Sequence, residues 1–322
     1  MPTPVSSFLD VELATALSKL PFPPRYTREL IPAAREMTAL KYNPALLLTL
    51  FPTVTHEERM IPGPGGDIPI SILRQLHSTD KESTKRPCII YLHSGGMIMG
   101  NRFTGATIPA AWVPEYGAVC VLVEYRLAPE HPAPAQVEDC YAALEWASLN
   151  AEFLGIDPTR VIIAGLSAGG GLAAGTVLLA RDRGGPEVRA QMLLAPMLDD
   201  RDETVSSTQC GDQIPWTRAS NEMAWECILG GKGGRDGRVS VYTVPGRAED
   251  LSNLPPTYVD VGSTEVFRDE GIAYASRLLA AGSLAELHVW PGAFHTSDMF
   301  VPGAAVSKAA AKARADWIGR MI

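Results

Sequence analysis

The sequence contains no C-x-x-C pair, and none of its five cysteines forms a cluster with histidine at metal-ligand spacing. Cys88, Cys120, Cys140, Cys210 and Cys227 are an odd, dispersed set that reads as reduced thiols. Cys88 and Cys120 sit in apolar, strand-like runs and are expected to be buried as small hydrophobes rather than to do redox chemistry. Lysine and arginine are unclustered. With 28 of them against 36 Asp and Glu, the formal charge is −8, which leaves no electrostatic footprint for nucleic acid or for an anionic membrane surface. No run approaches the roughly 20 apolar residues that span a bilayer. Residues 1–10 lack a basic stretch followed by an apolar one, so a cytoplasmic location without a membrane span is expected. Internal repeats and low-complexity linkers are missing too, and nothing marks a second independent domain.

What is present is the composition of a folded protein, with 46% hydrophobic and 20% charged residues in a chain of 322. That length suits one α/β core carrying extra segments. From residue 87 onward, short β-branched runs alternate with helix-length amphipathic stretches, the pattern of a mostly parallel sheet flanked by helices. The runs 87–93, 118–125, 160–164, 190–195, 257–262 and 286–290 read as buried strands. Helices are expected at 136–149, 168–183, 270–281 and 304–322, with Gly282 as a stop and Asp157-Pro158 as the turn before the 160–164 strand. Upstream, 57–61 and 68–76 flank a P-G-G-D turn and suggest an antiparallel lead-in. Two regions break the alternation. Residues 1–50 hold helix-like stretches interrupted by Pro21, Pro23 and Pro24. Residues 199–250 hold a helix-like stretch at 217–229 and a glycine-rich turn at 230–234. Either could fold over the sheet as a cap, and the first could equally be a packing arm.

The strongest chemical signal is Gly165-Leu166-Ser167-Ala168-Gly169, a G-x-S-x-G pentapeptide between a strand and an Ala-rich helix. At such a turn the serine is forced into a tight backbone conformation and pushed out at the carboxyl edge of the sheet. The helix start behind it offers unpaired amides, and the Ala168 amide is the expected oxyanion donor. A second signal, His93-Ser94-Gly95-Gly96, ends an earlier strand. Gly95 and Gly96 can bring backbone N–H groups close to a substrate oxygen, so both are further oxyanion candidates.

A serine nucleophile needs a base. Of six histidines, His56 and His77 lie near the lead-in strands, His93 in the glycine turn, His131 in a proline-rich loop and His288 inside a strand. His295, on the loop after the last strand, satisfies the order serine, acid, histidine. The acid should follow the 257–262 strand, where Glu265 comes first and Asp269 second. Asp260 lies inside the strand, while Asp269 and Glu270 are placed to cap the next helix.

These residues resemble the hormone-sensitive-lipase-like family of α/β-hydrolase esterases, the bacterial-type family IV carboxylesterases, over about residues 87–300. H-S-G-G is similar to the family's H-G-G-G. The stretch 125–135, Y-R-L-A-P-E-H-P-A-P-A, is similar to its most recognisable segment, and G-L-S-A-G-G to its G-D-S-A-G-G. F-R-D-E-G at 267–271, two residues after Glu265, resembles the acid segment D-P-L-x-D-E, and 291–295 the histidine loop. The resemblance implies a triad of Ser167, Glu265 and His295 with Gly95, Gly96 and Ala168 as the oxyanion hole. Three positions depart from it: Ser94 replaces a glycine not expected to donate, Leu166 replaces an aspartate and removes a polar contact, and Glu265 replaces the commoner aspartate and requires a small backbone shift.

The expected architecture is an α/β-hydrolase fold with a helical cap: cap segment 1–50, core 51–198, cap insertion 199–250 and core 251–322. By resemblance the cap lines the acyl and alcohol pockets, with Trp216, Trp225 and Phe103 as wall or packing residues. The expected activity is cofactor-independent hydrolysis of soluble short- to medium-chain carboxylic esters, small-molecule substrates, through an acyl-serine. Acyl transfer to another acceptor, lactone opening, a non-hydrolytic receptor and a lyase are the alternatives. A homodimer is compatible with the sequence, which does not fix the oligomeric state.

Overall fold

The β-branched runs assemble into one eight-stranded sheet of order β1-β2-β4-β3-β5-β6-β7-β8. The computed structural model describes residues 8–76, 85–231 and 239–322. In chain order the elements are α1 (Val11–Leu17), α2 (Ile31–Lys41), α3 (Pro44–Leu50), β1 (Val54–Ile61), β2 (Ile68–Gln75), β3 (Arg86–Leu92), α4 (Thr107–Tyr116), β4 (Val119–Val123), α5 (Ala135–Leu149), α6 (Ala151–Leu154), β5 (Ile156–Leu166), α7 (Ala168–Arg183), β6 (Ala190–Leu194), α8 (Val205–Gln209), α9 (Arg218–Ile228), β7 (Thr257–Gly262), α10 (Arg268–Ala280), β8 (Ala285–Trp290), α11 (Ser297–Phe300) and α12 (Ala305–Met321). Only β2 runs against the others. It pairs antiparallel with β1, closing the hairpin with Ile61 opposite Ile68, and antiparallel with β4.

Alternate residues of the central strands feed two cores. Ile90, Leu92, Val121, Val123 and Ile163 face α5, α7 and α10. Ile89, Tyr91, Cys120, Leu122, Ile162 and Leu194 face α4 and α12, which contribute Trp112, Val113, Trp317 and Ile318. Burial on both faces explains why these strands are continuously apolar instead of alternating. The five cysteines are buried and unpaired, and burial pushes the Cys88 thiol up to about 12, so it packs as a hydrophobe. Among the described residues no helix is long and apolar enough to cross a membrane.

The structure departs from the sequence reading in three places. β8 is an edge strand rather than a buried one: Leu287 and Val289 are 37% and 39% exposed. β5 starts at Ile156, and Asp157-Pro158 forms a bulge inside it, where Arg86 pairs with Ile156 but Cys88 with Val161. Asp157 closes that bulge by accepting from the Thr159 amide at 2.9 Å. Helix α4 was not expected, because Pro109 and Pro114 interrupt its pattern. Pro109 sits in the first turn, where its missing N–H costs nothing, and Gly117 ends the helix at φ 63°. His77 and residues 232–234 of the glycine-rich turn lie outside the described residues.

The N-terminal helices are tied to the functional end of the sheet. Asp10 caps α1 through the amides of Glu12 and Leu13, and Leu13 and Leu17 pack on Ala293 and Phe294. Arg35 of α2 donates to the carbonyls of Ile98 and Ala128 and pairs with Glu130.

One buried ion cluster braces the other side. Arg314 of α12, 6% exposed, donates to Asp260 of β7 at 2.7 Å and to Asp298 of α11. The Trp290 indole N–H also donates to Asp260, at 3.1 Å. Asp260, read from sequence only as an in-strand acid, is therefore the partner of a helix 54 residues away. Replacing Arg314 by Met leaves the buried Asp260 and the half-buried Asp298 without their cation. We expect a loss of about 3–5 kcal/mol of unfolding free energy in urea titration; a loss within 1 kcal/mol would show that the cluster does not brace the fold.

Candidate active site

The turn from β5 into α7 is dictated by glycine. A Cβ on Gly165 would stand 2.0 Å from the Gly169 carbonyl oxygen, one on Gly169 would stand 2.0 Å from that of Leu92, and one on Gly171 2.0 Å from that of Met197. No side chain fits any of these places, so the helix start can lie directly against the ends of neighbouring strands. Between them Ser167 takes φ 59°, ψ −117°, a conformation that costs a non-glycine residue of order 1–3 kcal/mol and persists only where its surroundings impose it. Three backbone bonds do so: Ser167 donates to Leu194 O at 2.7 Å, and its carbonyl accepts from Met197 and Gly171 at 3.0 and 3.1 Å.

The imidazole of His295 reaches Ser167 from the loop after β8. Its Nδ1–H donates to the Glu265 carboxylate, which leaves Nε2 to accept from the Ser167 hydroxyl at 2.9 Å. The second carboxylate oxygen of Glu265 accepts from the Gly262 amide at 2.5 Å. Phe267 packs edge-on to the imidazole with centroids 5.0 Å apart. The acid loop and the histidine loop are laced together: the Thr264 amide and hydroxyl both donate to Ala293 O, and the Gly292 amide donates to the Ser263 hydroxyl. Ser167, Glu265 and His295, expected from sequence, are thus brought into one buried hydrogen-bonded chain.

The two neighbouring acids are elsewhere, and neither caps α10 as expected. Asp269 accepts from the Ser206 amide at 2.7 Å, in the first turn of α8, and pairs with Arg268. Glu270 accepts from the Leu198 amide at 2.7 Å, and burial pushes its carboxyl well above the usual range. Both bind the segment after β6 to α10.

The glycine loop follows β3. Gly95 and Gly96 have φ of 126° and 61°, the region glycine alone adopts freely. Among the described residues neither amide has a protein acceptor, and the Ala168 amide stands at the unpaired start of α7. His93 supports this loop. It stacks on Tyr125 at 4.0 Å, its Nδ1–H donates to Ser94 O at 2.8 Å, and the Tyr125 hydroxyl donates to His93 O at 2.7 Å. Burial lowers the His93 pKa, which keeps the ring neutral. The Ala128 amide bonds Met97 O, and Arg126 is clamped by Asp139. The segment Y-R-L-A-P-E is therefore the scaffold of the glycine loop. Sequence reading recognised the stretch without assigning this role, and it passed over Arg35, whose partners are only adjacent in three dimensions.

A cavity of about 630 Å³ opens over Ser94, Gly95, Gly96, Ser167 and His295. Residues 20–42 supply much of its wall, including Phe22, Tyr26 and Met37, and Trp216 supplies another part. Of the three aromatic residues offered as wall or packing residues, Trp216 alone lines this space. Phe103 borders an adjacent cleft, and Trp225 lies in the core beside Cys227 and Ile228. Leu166 packs in the same core as Tyr91, Phe103 and Leu194.

The family model for the α/β-hydrolase fold matches residues 89–299. Carboxylesterase NlhH of Mycobacterium tuberculosis is 36% identical over 283 residues, 87% of this chain and 85% of that protein. A bacterial heroin esterase is 41% identical with a TM-score of 0.91, over 98% of each chain. An esterase of the archaeon Pyrobaculum calidifontis is 31% identical with a TM-score of 0.82, over 99% of each chain. The chain belongs to the hormone-sensitive-lipase-like family of α/β hydrolases. Like its family relatives it is a carboxylic ester hydrolase. Within this α/β hydrolase Glu265 and Asp269 should behave differently. Glu265→Gln is expected to lower kcat roughly 10³–10⁴-fold by losing the tautomer that the carboxylate selects. Asp269→Asn should leave kcat within a few-fold and lower the melting temperature. Steady-state kinetics beside thermal denaturation check both, and the reverse pattern would move the acid to Asp269.

Proposed function

We propose that this carboxylic ester hydrolase cleaves soluble short- to medium-chain esters through an acyl-enzyme on Ser167. The observation that carries the reading is the chain Glu265–His295–Ser167, with 2.9 Å between imidazole and hydroxyl, on the floor of the 630 Å³ cavity. His295 takes the hydroxyl proton as Ser167 Oγ attacks the ester carbon, and Glu265 stabilises the imidazolium that forms. The amides of Gly95, Gly96 and Ala168 receive the negative charge on the carbonyl oxygen. Collapse of the tetrahedral intermediate expels the alcohol, which takes the proton from His295. Water, deprotonated by the same imidazole, then attacks the acyl-serine; the second intermediate collapses to release the acid, and Ser167 Oγ takes its proton back from His295. Every atom is accounted for by ester, water and this chain.

The apolar character of the walls supports an acyl or alcohol group of modest size, since a cavity of this volume lies within the range for small ligands. We further assign residues 1–50 and 199–250 as the cap: Phe22, Tyr26 and Met37 from the first and Trp216 from the second border the cavity. Five unpaired buried thiols support a reducing, cytoplasmic setting.

The test is a fluorophosphonate probe together with p-nitrophenyl ester hydrolysis. Wild type should label and turn over. Ser167→Ala should do neither, losing roughly 10⁴–10⁶ in kcat while keeping its melting temperature. A folded wild type that neither labels nor hydrolyses overturns the reading.

A further inference from the structure

Outside the Ser–His–Glu chain, Asp202 is among the buried polar groups left incompletely paired, and it connects to the cavity wall through two side chains. Asp202 adopts φ 52°, is buried, and has one carboxylate oxygen without a partner. Its other oxygen accepts from Asn221 Nδ2 at 2.8 Å. Asn221 in turn accepts, through its own amide oxygen, from the indole N–H of Trp216 at 3.2 Å. The far edge of that indole covers Gly96: a Cβ placed on Gly96 would lie 2.4 Å from Trp216 Cη2. The three side chains therefore run in an unbroken line from an ionisable group to the loop that faces the ester carbonyl. Both ends of the line are fixed. The Thr217 side chain caps α9, which carries Asn221, and the Ser207 hydroxyl donates to Asp202 O at 2.8 Å.

We propose that Asp202 and Asn221 are positioning residues that hold Trp216 against Gly96, making it the wall that limits the bulk of the group beside the scissile carbonyl. This rests on the esterase reading above and names the substrate discrimination built into that site. Trp216 has a large ring and one polar handle. With the handle engaged the ring cannot swing away from Gly96, and an ester branched next to its carbonyl meets the indole. With the handle released the ring can retreat.

The strength of the line depends on the charge at its end. Burial raises the Asp202 pKa to about 6, the Asn221 bond opposes that rise, and the neighbouring charges are Glu222 and Arg218 on α9 and Asp199 on its own segment. Glu270 of α10 also faces Asp202, and its own burial pushes its carboxyl well above the usual range. Above about pH 6 the carboxylate accepts a charge-assisted bond from Asn221. Below it the bond becomes a neutral one, roughly half as strong. Trp216 is then held less firmly as pH falls.

The readout is the ratio of kcat/KM for phenyl trimethylacetate to that for phenyl acetate, quantified by chromatography so that pH does not alter the signal. Any change of rate with pH that is common to both esters cancels in the ratio. For wild type the ratio should rise between pH 7.5 and 5.5. Asp202→Asn removes no heavy atom and should show the low-pH ratio at every pH. Asn221→Leu and Trp216→Phe, which cut the line at its two joints, should raise the ratio about fivefold at pH 7.5, the size expected for one hydrogen bond. Fluorophosphonate labelling of Asp202→Asn and Asn221→Leu should persist. If wild type does not label, the esterase reading falls and this one with it. If wild type labels and the ratio stays flat with pH and unchanged in all three variants, the positioning role alone is overturned. Should Asn221→Leu fail to fold, Asp202→Asn and Trp216→Phe decide the matter.

Discussion

Gly169 has its Cα so close to the Leu92 carbonyl that a single methyl group would fall 2.0 Å from that oxygen. This contact between the start of α7 and the end of β3 sets the position of everything else at the site. It draws the helix terminus, with its unpaired amides, up to the carboxyl edge of the sheet. It forces Ser167 into a backbone conformation that only dense packing can hold. It also places the glycine loop, which continues directly from β3 through His93, beside the serine. A methyl group at Gly169 would have to push the Leu92 carbonyl out of a parallel sheet, and one at Gly165 or Gly171 would collide with the carbonyl of Gly169 at the helix start or of Met197 after β6, so strain at the serine and rigidity of the core are aspects of one arrangement.

The remaining parts are held by polar groups that are satisfied in chains rather than pairs. The Tyr125 hydroxyl supports His93 O while the His93 ring supports Ser94 O. Ser263 and Thr264 stitch the acid loop to the histidine loop. Arg314 closes the rear of the same loops through Asp260 and Asp298. Buried polar groups of this kind are costly when any member is missing and directional when complete. That directionality suits a site in which an imidazole must present a defined nitrogen to a serine. The walls above the site are more apolar and come from segments distant in sequence, so the reacting groups and the space for the ester are built by different means.

Much of this site was legible in one dimension because the chemistry constrains residue type. A strand, a G-x-S-x-G turn and a helix leave few conformations for Ser167, and the order serine, acid, histidine left His295 as the one suitable base among six histidines. Glu265 was legible as the first acid after its strand. Less legible were features whose cause is contact. The exposure of β8 depends on no further strand among the described residues lying beside it, which local composition does not encode. Helix α4 was hidden because two prolines broke its pattern while its burial against β2 and β4 held it. Phe103 and Trp225 were as plausible as Trp216 for the cavity wall, since an aromatic side chain reads the same in a core and in a pocket.

The sequence by itself determined the fold class, the order of the reacting residues and the glycines that the serine turn requires, because each follows from backbone sterics or from the short-range pattern of apolar residues. Only the tertiary structure decided that Asp269 and Glu270 serve helix packing, that Arg314 answers Asp260, that Y-R-L-A-P-E carries the glycine loop, and that Trp216 is tethered through Asn221 to Asp202. In each of these the partner lies far along the chain or on another element, and a hydrogen bond leaves no mark in sequence at either of its ends until folding brings them within 3 Å.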